Sequence, residues 1–481
     1  MSESSFSFQA LYEKSKFPKN HMHHELPYRY FDDEHHVFEN TASVGFGLKM
    51  SVLVGANDEV IQTLNSLMLN LKEGNDWDYQ FVLVGNNQVE HLIDANCETL
   101  SRRGGIMEKF AKNEAIYAKH ASKYGFKIRS KIHYYDLKNY ELLFFTSTTK
   151  TKDELVALKN ILESELAQIG LNPQPMNAQD FICYVHDHVN FNLIQTKPTE
   201  LDYNPLDCIH EQVMSPDTAF DVDDESVTTS CTALLSKKQV RTSIVSLGLK
   251  KLPSEMRLYQ LPEMLASVLN PEKSLVCPHR ISVNFRILST GRESLNNTKK
   301  IKGLDKIVHS PMRMFVPQAE DELIERRDLQ RGLLEQEFKV GAMMLTVSLY
   351  TNEQKQLESI TKAISTFEKA KLDMVNTKKM QINSFLAVLP FQMSEGFFDD
   401  CKKFGRFRSI KTSNLVNFLP VVAELKNFSG GMLLPTMRHQ LSFFDPFNCG
   451  CDNYNIALTG GSGSGKSFFM QSLAKGVMVS F

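Results

Sequence analysis

The stretch GGSGSGKS at residues 460–467 lies near the carboxyl end of the 481-residue chain and fits the pattern G-x-x-x-x-G-K-[ST]. Glycines let such a loop wrap tightly, so that successive backbone N–H groups point at an anion. The apolar residues 454–459 before it predict a strand, and residues 468–479 after it predict an amphipathic helix. A strand, a glycine-rich loop and a helix in this order predict a phosphate-binding loop, and therefore the binding of a nucleoside triphosphate.

Each residue type in this loop has its own part in holding ATP and Mg²⁺. Lys466 is expected to reach the β- and γ-phosphate oxygens, and we assign it the catalytic role. Ser467 is expected to give its hydroxyl to Mg²⁺, while the N-terminus of the following helix favours the phosphate charge. The predicted nucleotide-binding residues are Gly460, Gly461, Ser462, Gly463, Ser464, Gly465, Lys466 and Ser467.

Only 14 residues follow Ser467 in this sequence. An ATPase of the P-loop class also needs a strand that ends in an acidic residue (Walker B), and further strands that complete a parallel sheet. We therefore expect the chain to be truncated within its ATPase domain, just after Walker A. We also expect this piece to show little or no hydrolysis by itself.

The composition is that of an ordinary globular protein, with 42% hydrophobic and 23% charged residues. The net charge of -2 gives no overall basic field, which argues against a protein that coats nucleic acid. The N-terminus lacks the pattern of a secretory signal, and no uncharged apolar stretch reaches the 18 to 20 residues that span a bilayer. The eight cysteines form no Cys-x-x-Cys pair, so reduced thiols are expected. We predict a cytoplasmic protein whose contact with a membrane is peripheral.

Hydrophobic periodicity predicts an α+β N-terminal region followed by the start of an α/β P-loop (RecA-like) domain. One helix is predicted over residues 89–123, and a hairpin over residues 128–135 and 140–147. The predicted organisation is a flexible arm at 1–40, an α+β domain at 41–250 that is rich in loops at 172–225, a second α+β section at 251–410, and the start of the truncated ATPase domain at 411–481.

Several other groups of residues suggest chemistry, but each has a simpler interpretation. The histidines near the N-terminus could bind a metal, although a solvated polar arm explains them better; they are His21, His23, His24, His35 and His36. His186 and His188 resemble a fragment of a metal-hydrolase site without its partners. The Gly45–Gly47 pair lacks the third glycine of a dinucleotide fingerprint, and Cys449 and Cys451 are more simply small buried side chains.

The segment at residues 402–408 interleaves basic and aromatic side chains. Such a segment could contact nucleic acid or anionic lipid. A solvated basic face is the simpler expectation.

From about residue 339 to residue 470 the sequence resembles the conjugative-transfer ATPases of type IV secretion systems, especially the F-type TraC group. The features appear in the family's order, ending in its approach to the Walker A motif. They are a strand at 344–350, NSFLAVLP at 383–390, TSNL at 412–415 with FLP at 418–420, FDPF at 444–447, Asn453, Asn455 and GGSGSGKSFF from residue 460.

The resemblance implies a cytoplasmic ATPase at the inner membrane of a Gram-negative donor cell. Members of this family form hexamers, and they energise pilus assembly and the transfer of DNA or protein. The implied partners are inner-membrane components of the secretion channel, which an N-terminal α+β domain engages, and further copies of the same chain. Direct contact with DNA is left open. Gly460, Gly465, Lys466 and Ser467 match the family's motif, whereas its Walker B acid and arginine finger have no counterpart in these residues.

Two alternatives remain open from the sequence. One is a different P-loop motor, such as a DNA translocase or helicase. The other is a non-catalytic fragment that docks on the secretion channel.

Overall fold

The computed structural model describes residues 21–102, 104–127, 134–135, 137–267, 274–275, 277–424, 432–436, 438–445, 447 and 455–479. The helices are α1 (Asp58–Asn70), α2 (Glu90–Ser101), α3 (Gly105–Tyr124), α4 (Lys152–Ile169), α5 (Ala178–Val189), α6 (Thr290–Val308), α7 (Ala319–Leu334), α8 (Gln356–Lys369), α9 (Gln381–Val388), α10 (Phe397–Lys403), α11 (Thr412–Leu415) and α12 (Lys466–Val479).

The strands are β1 (Tyr28–Asp32), β2 (Val37–Asn40), β3 (Val44–Met50), β4 (Trp77–Asn86), β5 (Phe126–Lys127), β6 (Tyr134–Tyr135), β7 (Asn139–Thr148), β8 (Gln174–Pro175), β9 (Ala219–Val222), β10 (Val227–Thr232), β11 (Gln239–Lys251), β12 (His279–Ile287), β13 (Val340–Thr351), β14 (Asp373–Asn376), β15 (Arg408–Lys411), β16 (Met432–Pro435) and β17 (Leu441–Phe444).

A sheet of 13 strands forms the frame of the described chain. Its strands follow the order β1-β2-β3-β7-β4-β12-β13-β11-β10-β9, with β14 added beside β11, β15 beside β13 and β8 beside β3. Every pairing within it is antiparallel. The predicted mixture of helices and antiparallel strands is thus confirmed for this part of the chain.

The central strands are buried on both faces of the sheet. Every residue of β4, β12 and β13 is buried. Strand β13 is a nearly continuous apolar run, whereas β12 alternates apolar side chains with buried polar and charged ones. Side chains alternate between the faces: Phe81 and Phe144 belong to one core, with helices α1, α4 and α8, whereas Val82 and Leu143 belong to a second core, with α5 and α9. Helices therefore cover both faces of this sheet.

The predicted flexible arm at residues 1–40 is wrong for its second half. Residues 28–32 and 37–40 form β1 and β2, the edge of the main sheet, and Tyr28 is fully buried. The hydroxyl of Tyr28 donates a hydrogen bond of 3.0 Å to the carbonyl of Pro390, a residue 362 positions away. Residues 1–20 lie outside the described residues.

Three other predicted boundaries need correction. The division at residue 250 falls inside β11, which pairs with β13, so one sheet joins the two predicted α+β sections. The predicted loop-rich segment 172–225 contains helix α5, whereas its residues 190–218 include only the short turn Ile209–Glu211 and agree with the prediction. The single helix expected at 89–123 is divided into α2 and α3 by Gly104, whose backbone φ is +65°.

The predicted hairpin of residues 128–135 with 140–147 is also not observed. β7 pairs with β3 and β4, and β6 pairs with β5. Residues 128–133 lie outside the described residues.

A buried ion pair links β4 to β12 close to the point where their ladder ends. The guanidinium of Arg286 donates to both carboxylate oxygens of Asp78, at 2.9 and 2.6 Å, and both side chains are about 95% buried. Ser394 donates a further hydrogen bond to Asp78, and Arg286 lies 3.7 Å from the centre of the Phe398 ring. These contacts tie the segment around α10 to the sheet.

We expect the substitution Arg286→Met to lower the free energy of unfolding by about 3–5 kcal/mol, because it leaves the Asp78 carboxylate buried without its partner. The double variant D78N/R286M should recover much of this loss, since no buried charge remains. Breaking the exposed Lys403–Asp400 pair with Asp400→Asn should cost about 1 kcal/mol or less. Urea unfolding curves measure all three, and equal losses for Arg286→Met and Asp400→Asn would contradict this account.

Candidate functional site

The predicted P-loop is an exposed turn that leads into α12. Gly463 and Gly465 have φ values of +72° and +87°, which favour glycine because side chains with a Cβ rarely adopt them. Gly460 packs closely against Ser464 across the turn, because a Cβ on Gly460 would lie only 2.8 Å from the Ser464 hydroxyl oxygen. Helix α12 begins at Lys466, so its first backbone N–H groups lie at the end of the loop.

Lys466 folds over the loop that precedes it. Its ammonium nitrogen donates to the carbonyl oxygens of Gly460 and Gly461, each at 2.6 Å. Within the turn, Ser464 N–H donates to the Gly461 carbonyl, and Ser467 is exposed. One ammonium group and the start of a helix thus lie together at the surface, which is the donor set that a phosphate chain requires.

Helix α12 packs through its second half. Gly476 lies against Met432 of β16, so closely that a Cβ at this position would be 2.8 Å from the Met432 Cβ. Lys475 forms an ion pair of 3.1 Å with Glu114 of α3 and lies 4.5 Å from the Phe110 ring. The loop is therefore positioned by contacts of α12 with α3 and with the β16–β17 hairpin.

The strand predicted just before the loop is not observed. Residues 455–459 are exposed and have no strand conformation, and no described strand pairs with them. An isolated extended segment has no ladder hydrogen bonds, so its apolar pattern does not by itself produce a strand. Residue 454 lies outside the described residues, and the described chain contains no parallel RecA-like sheet.

The histidines near the N-terminus are packed rather than solvated. His23 is fully buried and stacks on His210 at a centroid distance of 5.3 Å, and His21 hydrogen-bonds the Thr218 carbonyl at 3.1 Å. Burial lowers the pKa of His23 and of His210 to about 3, so both rings stay neutral near pH 7.

The prediction of a solvated arm was wrong for these histidines. His24 is half-buried against His23, His35 pairs with Asp32, and His36 is half-buried beside Phe31. Within the described ranges, no group of His, Cys, Asp or Glu side chains has the arrangement of a metal site.

His188 has a structural role in the core. It is fully buried, with Nδ1 at 2.6 Å from the Tyr350 hydroxyl and Nε2 at 3.0 Å from the Phe385 carbonyl. Burial, with a further contribution from the nearby charge of Arg280, lowers the pKa of His188 well below its usual value. His186 is also buried and lies beside Asp187.

The basic segment at 402–408 is divided between the surface and the interior. Lys402, Lys403 and Phe404 are exposed. Arg406, by contrast, donates to the Ser384 hydroxyl, and Arg408 donates to the carbonyls of Gly405 and Lys250. The remaining exposed cations are fewer than the sequence suggested.

The glycine pair at 45 and 47 lies in β3, in agreement with its interpretation as strand rather than nucleotide loop. A Cβ on Gly45 would lie 2.6 Å from the Phe391 ring, so glycine is required there by close packing. Cys449 and Cys451 lie outside the described residues.

A polar cleft of about 370 Å³ lies between α5 and the sheet, and no motif in the sequence predicted it. Arg280 lies at its wall, 98% buried, stacked 4.1 Å from the Tyr184 ring and donating to the Tyr184 carbonyl. Glu141 and Asp187 line the same cleft. These residues are far apart in the chain, and the strand order β7-β4-β12, with α5 packed on the sheet, brings them together.

Comparisons with known proteins identify the family. A family model described as TraC protein matches residues 22–393. Among curated proteins, Protein TraC of Escherichia coli (strain K12) is 25% identical over 467 residues, which cover 94% of this chain and 53% of that protein. The chain thus spans about half the length of this relative. The family match covers the N-terminal region, where the sequence motifs were few, and it ends before the P-loop.

His188 lies inside the matched region and makes the stability of the core depend on pH. The pKa of this histidine is lowered in the folded state, so the unfolded chain binds its proton first as the pH falls below about 6.5. Stability is therefore fully present above that pH and is lost progressively below it.

We expect His188→Gln, which keeps hydrogen-bonding groups but does not titrate, to be less stable at pH 7.5 and to lose less stability between pH 6.5 and 5.5. The slope should fall by up to about 1.4 kcal/mol per pH unit. Urea unfolding at several pH values measures this slope. An unchanged slope would show that His188 titrates normally in the folded chain.

Proposed function

Because the chain belongs to the TraC protein family of conjugative-transfer, type IV secretion components, we propose that it is an ATP-binding motor ATPase of such a system. The observation that supports the motor assignment is the loop at residues 460–467, with Lys466 folded over Gly460 and Gly461 at the start of α12. In this proposal the protein energises pilus assembly and the transfer of DNA or protein.

The residues of the loop fit a bound Mg²⁺–nucleotide. Lys466 would exchange its two carbonyl contacts for the phosphate oxygens, which are stronger acceptors because they are charged. The backbone N–H groups of Gly463 and Gly465 would face the phosphate chain, and the Ser464 N–H would join them by leaving the Gly461 carbonyl. Ser467 would hold Mg²⁺ through its hydroxyl, and the metal would supply charge neutralisation during phosphoryl transfer.

Hydrolysis needs more groups than this loop offers. An acidic residue that holds the metal and orients water, and an arginine finger, have no assignment among the described residues. Since the chain corresponds to 53% of its E. coli relative, the activity of the whole protein is part of the proposal. We propose that catalysis takes place in a hexamer of the complete protein, and that inner-membrane components of the channel are its partners.

A different P-loop motor that translocates DNA is the alternative function. The net charge of -2 and the inward-turned Arg406 and Arg408 give it little support. DNA-stimulated hydrolysis by the complete protein would favour it. A non-catalytic docking fragment is the second alternative, and it requires that the chain bind channel components without binding nucleotide.

We expect Lys466→Ala to weaken binding of a fluorescent ATP analogue with Mg²⁺ to the 481-residue chain by about tenfold or more, because a charged hydrogen-bond donor to phosphate is lost. The matched control is Lys403→Ala, which removes the same charge from an exposed lysine of α10 and leaves the contacts of α12 intact. Fluorescence titration gives both dissociation constants. Equal affinities for the two variants would contradict nucleotide binding at this loop.

Helices α6 and α7 form a hairpin whose tip could lie against the inner membrane, as the proposed location requires. Met314 and Phe315 at the tip are 88% and 85% exposed, and α6 runs about 28 Å from the sheet to this tip. Four lysines on the half of α6 nearest the tip add positive charge, which anionic headgroups attract; they are Lys299, Lys300, Lys302 and Lys306. No helix among the described residues is both long enough and apolar enough to cross a bilayer.

We expect the chain to float with vesicles that contain anionic lipid, and the variant M314E/F315E to lose at least about tenfold in binding, because two apolar side chains no longer enter the interface. The control is Leu206→Glu, since Leu206 is equally exposed, at 89%, on a different loop. Vesicle flotation measures the bound fraction. Equal losses for the tip variant and the control would contradict a membrane contact at the tip.

A further inference from the structure

Strand β15 leaves one of its edges open. It pairs with β13 on one side, with Val340 opposite Lys411 and Met343 opposite Arg408, and no described strand pairs with its other side. The Thr412 N–H donates to the Lys339 carbonyl at 2.9 Å, so these two residues are a hydrogen-bonded pair of the ladder. Counting by twos from Thr412, Ile410 and Arg408 also direct their backbone groups at β13. In an antiparallel pair, alternate residues direct their N–H and C=O groups at the partner strand. The backbone groups of Ser409 and Lys411 consequently point away from β13.

A groove runs between this open edge and the α6–α7 hairpin. Its volume is about 1050 Å³, and Ser409, Ile410 and Lys411 form one wall. Residues of α6 and α7 form the opposite wall, from Glu293 to Leu333. A strand edge that faces helices across an open groove is the arrangement in which several domains bind an extended peptide by strand addition.

The lining of the groove indicates the kind of peptide that it fits. Apolar side chains lie at its base; they are Leu329, Leu333, Val340 and Ile410. Carboxylates outnumber cations along its walls, with Glu293, Asp321, Glu322, Glu325 and Asp328 against Lys300, Arg326 and Lys411. Arg326 is already paired with Glu322, and Lys411 lies 4.7 Å from the Phe338 ring. The surplus charge is therefore negative.

We propose that this groove binds an extended segment of a partner protein in which apolar and basic residues alternate, paired as an additional strand on the outer edge of β15. The apolar side chains of the segment would contact the base of the groove, and its basic side chains would meet the carboxylates of α7. Backbone pairing would involve Ser409 and Lys411. This inference does not depend on nucleotide binding at the P-loop.

The test uses the 481-residue chain and a fluorescein-labelled octapeptide of alternating lysine and valine, followed by fluorescence anisotropy. Ser409→Pro removes the outward N–H, and proline is tolerated where a strand's N–H faces away from its neighbour. We expect it to weaken binding by about tenfold, whereas Ser409→Ala, which keeps the N–H, should bind as the unchanged chain does. Neutralising Asp321, Glu322 and Glu325 to their amides should weaken binding and reduce its dependence on salt.

Circular dichroism and thermal melting establish that each variant is folded. The proposal is overturned if folded Ser409→Pro and Ser409→Ala bind equally, or if an octapeptide of alternating glutamate and valine binds as well as the lysine peptide. It is also overturned if sedimentation shows that the chain dimerises through this edge, with Ser409→Pro abolishing the dimer and no peptide binding observed. A tenfold loss confined to Ser409→Pro and to the amide variant supports it.

Discussion

The rest of the structure depends on the pairing of β4 with β7 on one side and β12 on the other. This pairing places Asp78 next to Arg286, more than 200 residues apart in the chain, and their bidentate ion pair is buried where a missing partner would be costly. The same strands supply both cores, because alternate residues of β4 and β7 enter opposite faces. The two predicted α+β sections therefore share a single frame and are stabilised together.

Side chains of the sheet and of α5 form hydrogen bonds with carbonyl groups at the end of helix α9. Gln80 and Asn284, neighbours on β4 and β12, donate to the carbonyl of Ala387, and His188 faces the carbonyl of Phe385. The last carbonyls of a helix have no partner within it, so these buried groups would otherwise be unsatisfied. Buried polar residues of the central strands, which a hydrophobicity pattern would place at the surface, thus hold a helix against the sheet.

The sequence predicted the features that depend on local pattern and missed those that depend on distant partners. The strand expected at residues 344–350 lies inside β13, because an apolar run is a signal carried by residues that are close in the chain. Residues 28–40 were predicted to belong to a flexible arm, because Tyr28 is buried by Pro390 and other residues that are distant in the chain. The strand predicted for residues 455–459 was the opposite error. Their apolar pattern predicted a strand, but no described strand pairs with them. The loop at residues 460–467 was predicted as a nucleotide site because the residues that such a site needs lie within eight consecutive positions, whereas the groove beside β15 requires segments from three parts of the chain.

Stability and the proposed chemistry lie in separate parts of the molecule. The loop residues 460–465 are exposed, and their hydrogen bonds are made largely with one another, so they add little buried area to the fold. The contacts that hold α12 are farther along the helix, at Lys475 and Gly476, against α3 and β16. A change in the loop can therefore alter the proposed phosphate binding without unfolding the sheet. Conversely, a movement of α12 on binding would reach the sheet through α3 and the β16–β17 hairpin, which is joined to the residue before β7 by hydrogen bonds at Lys138.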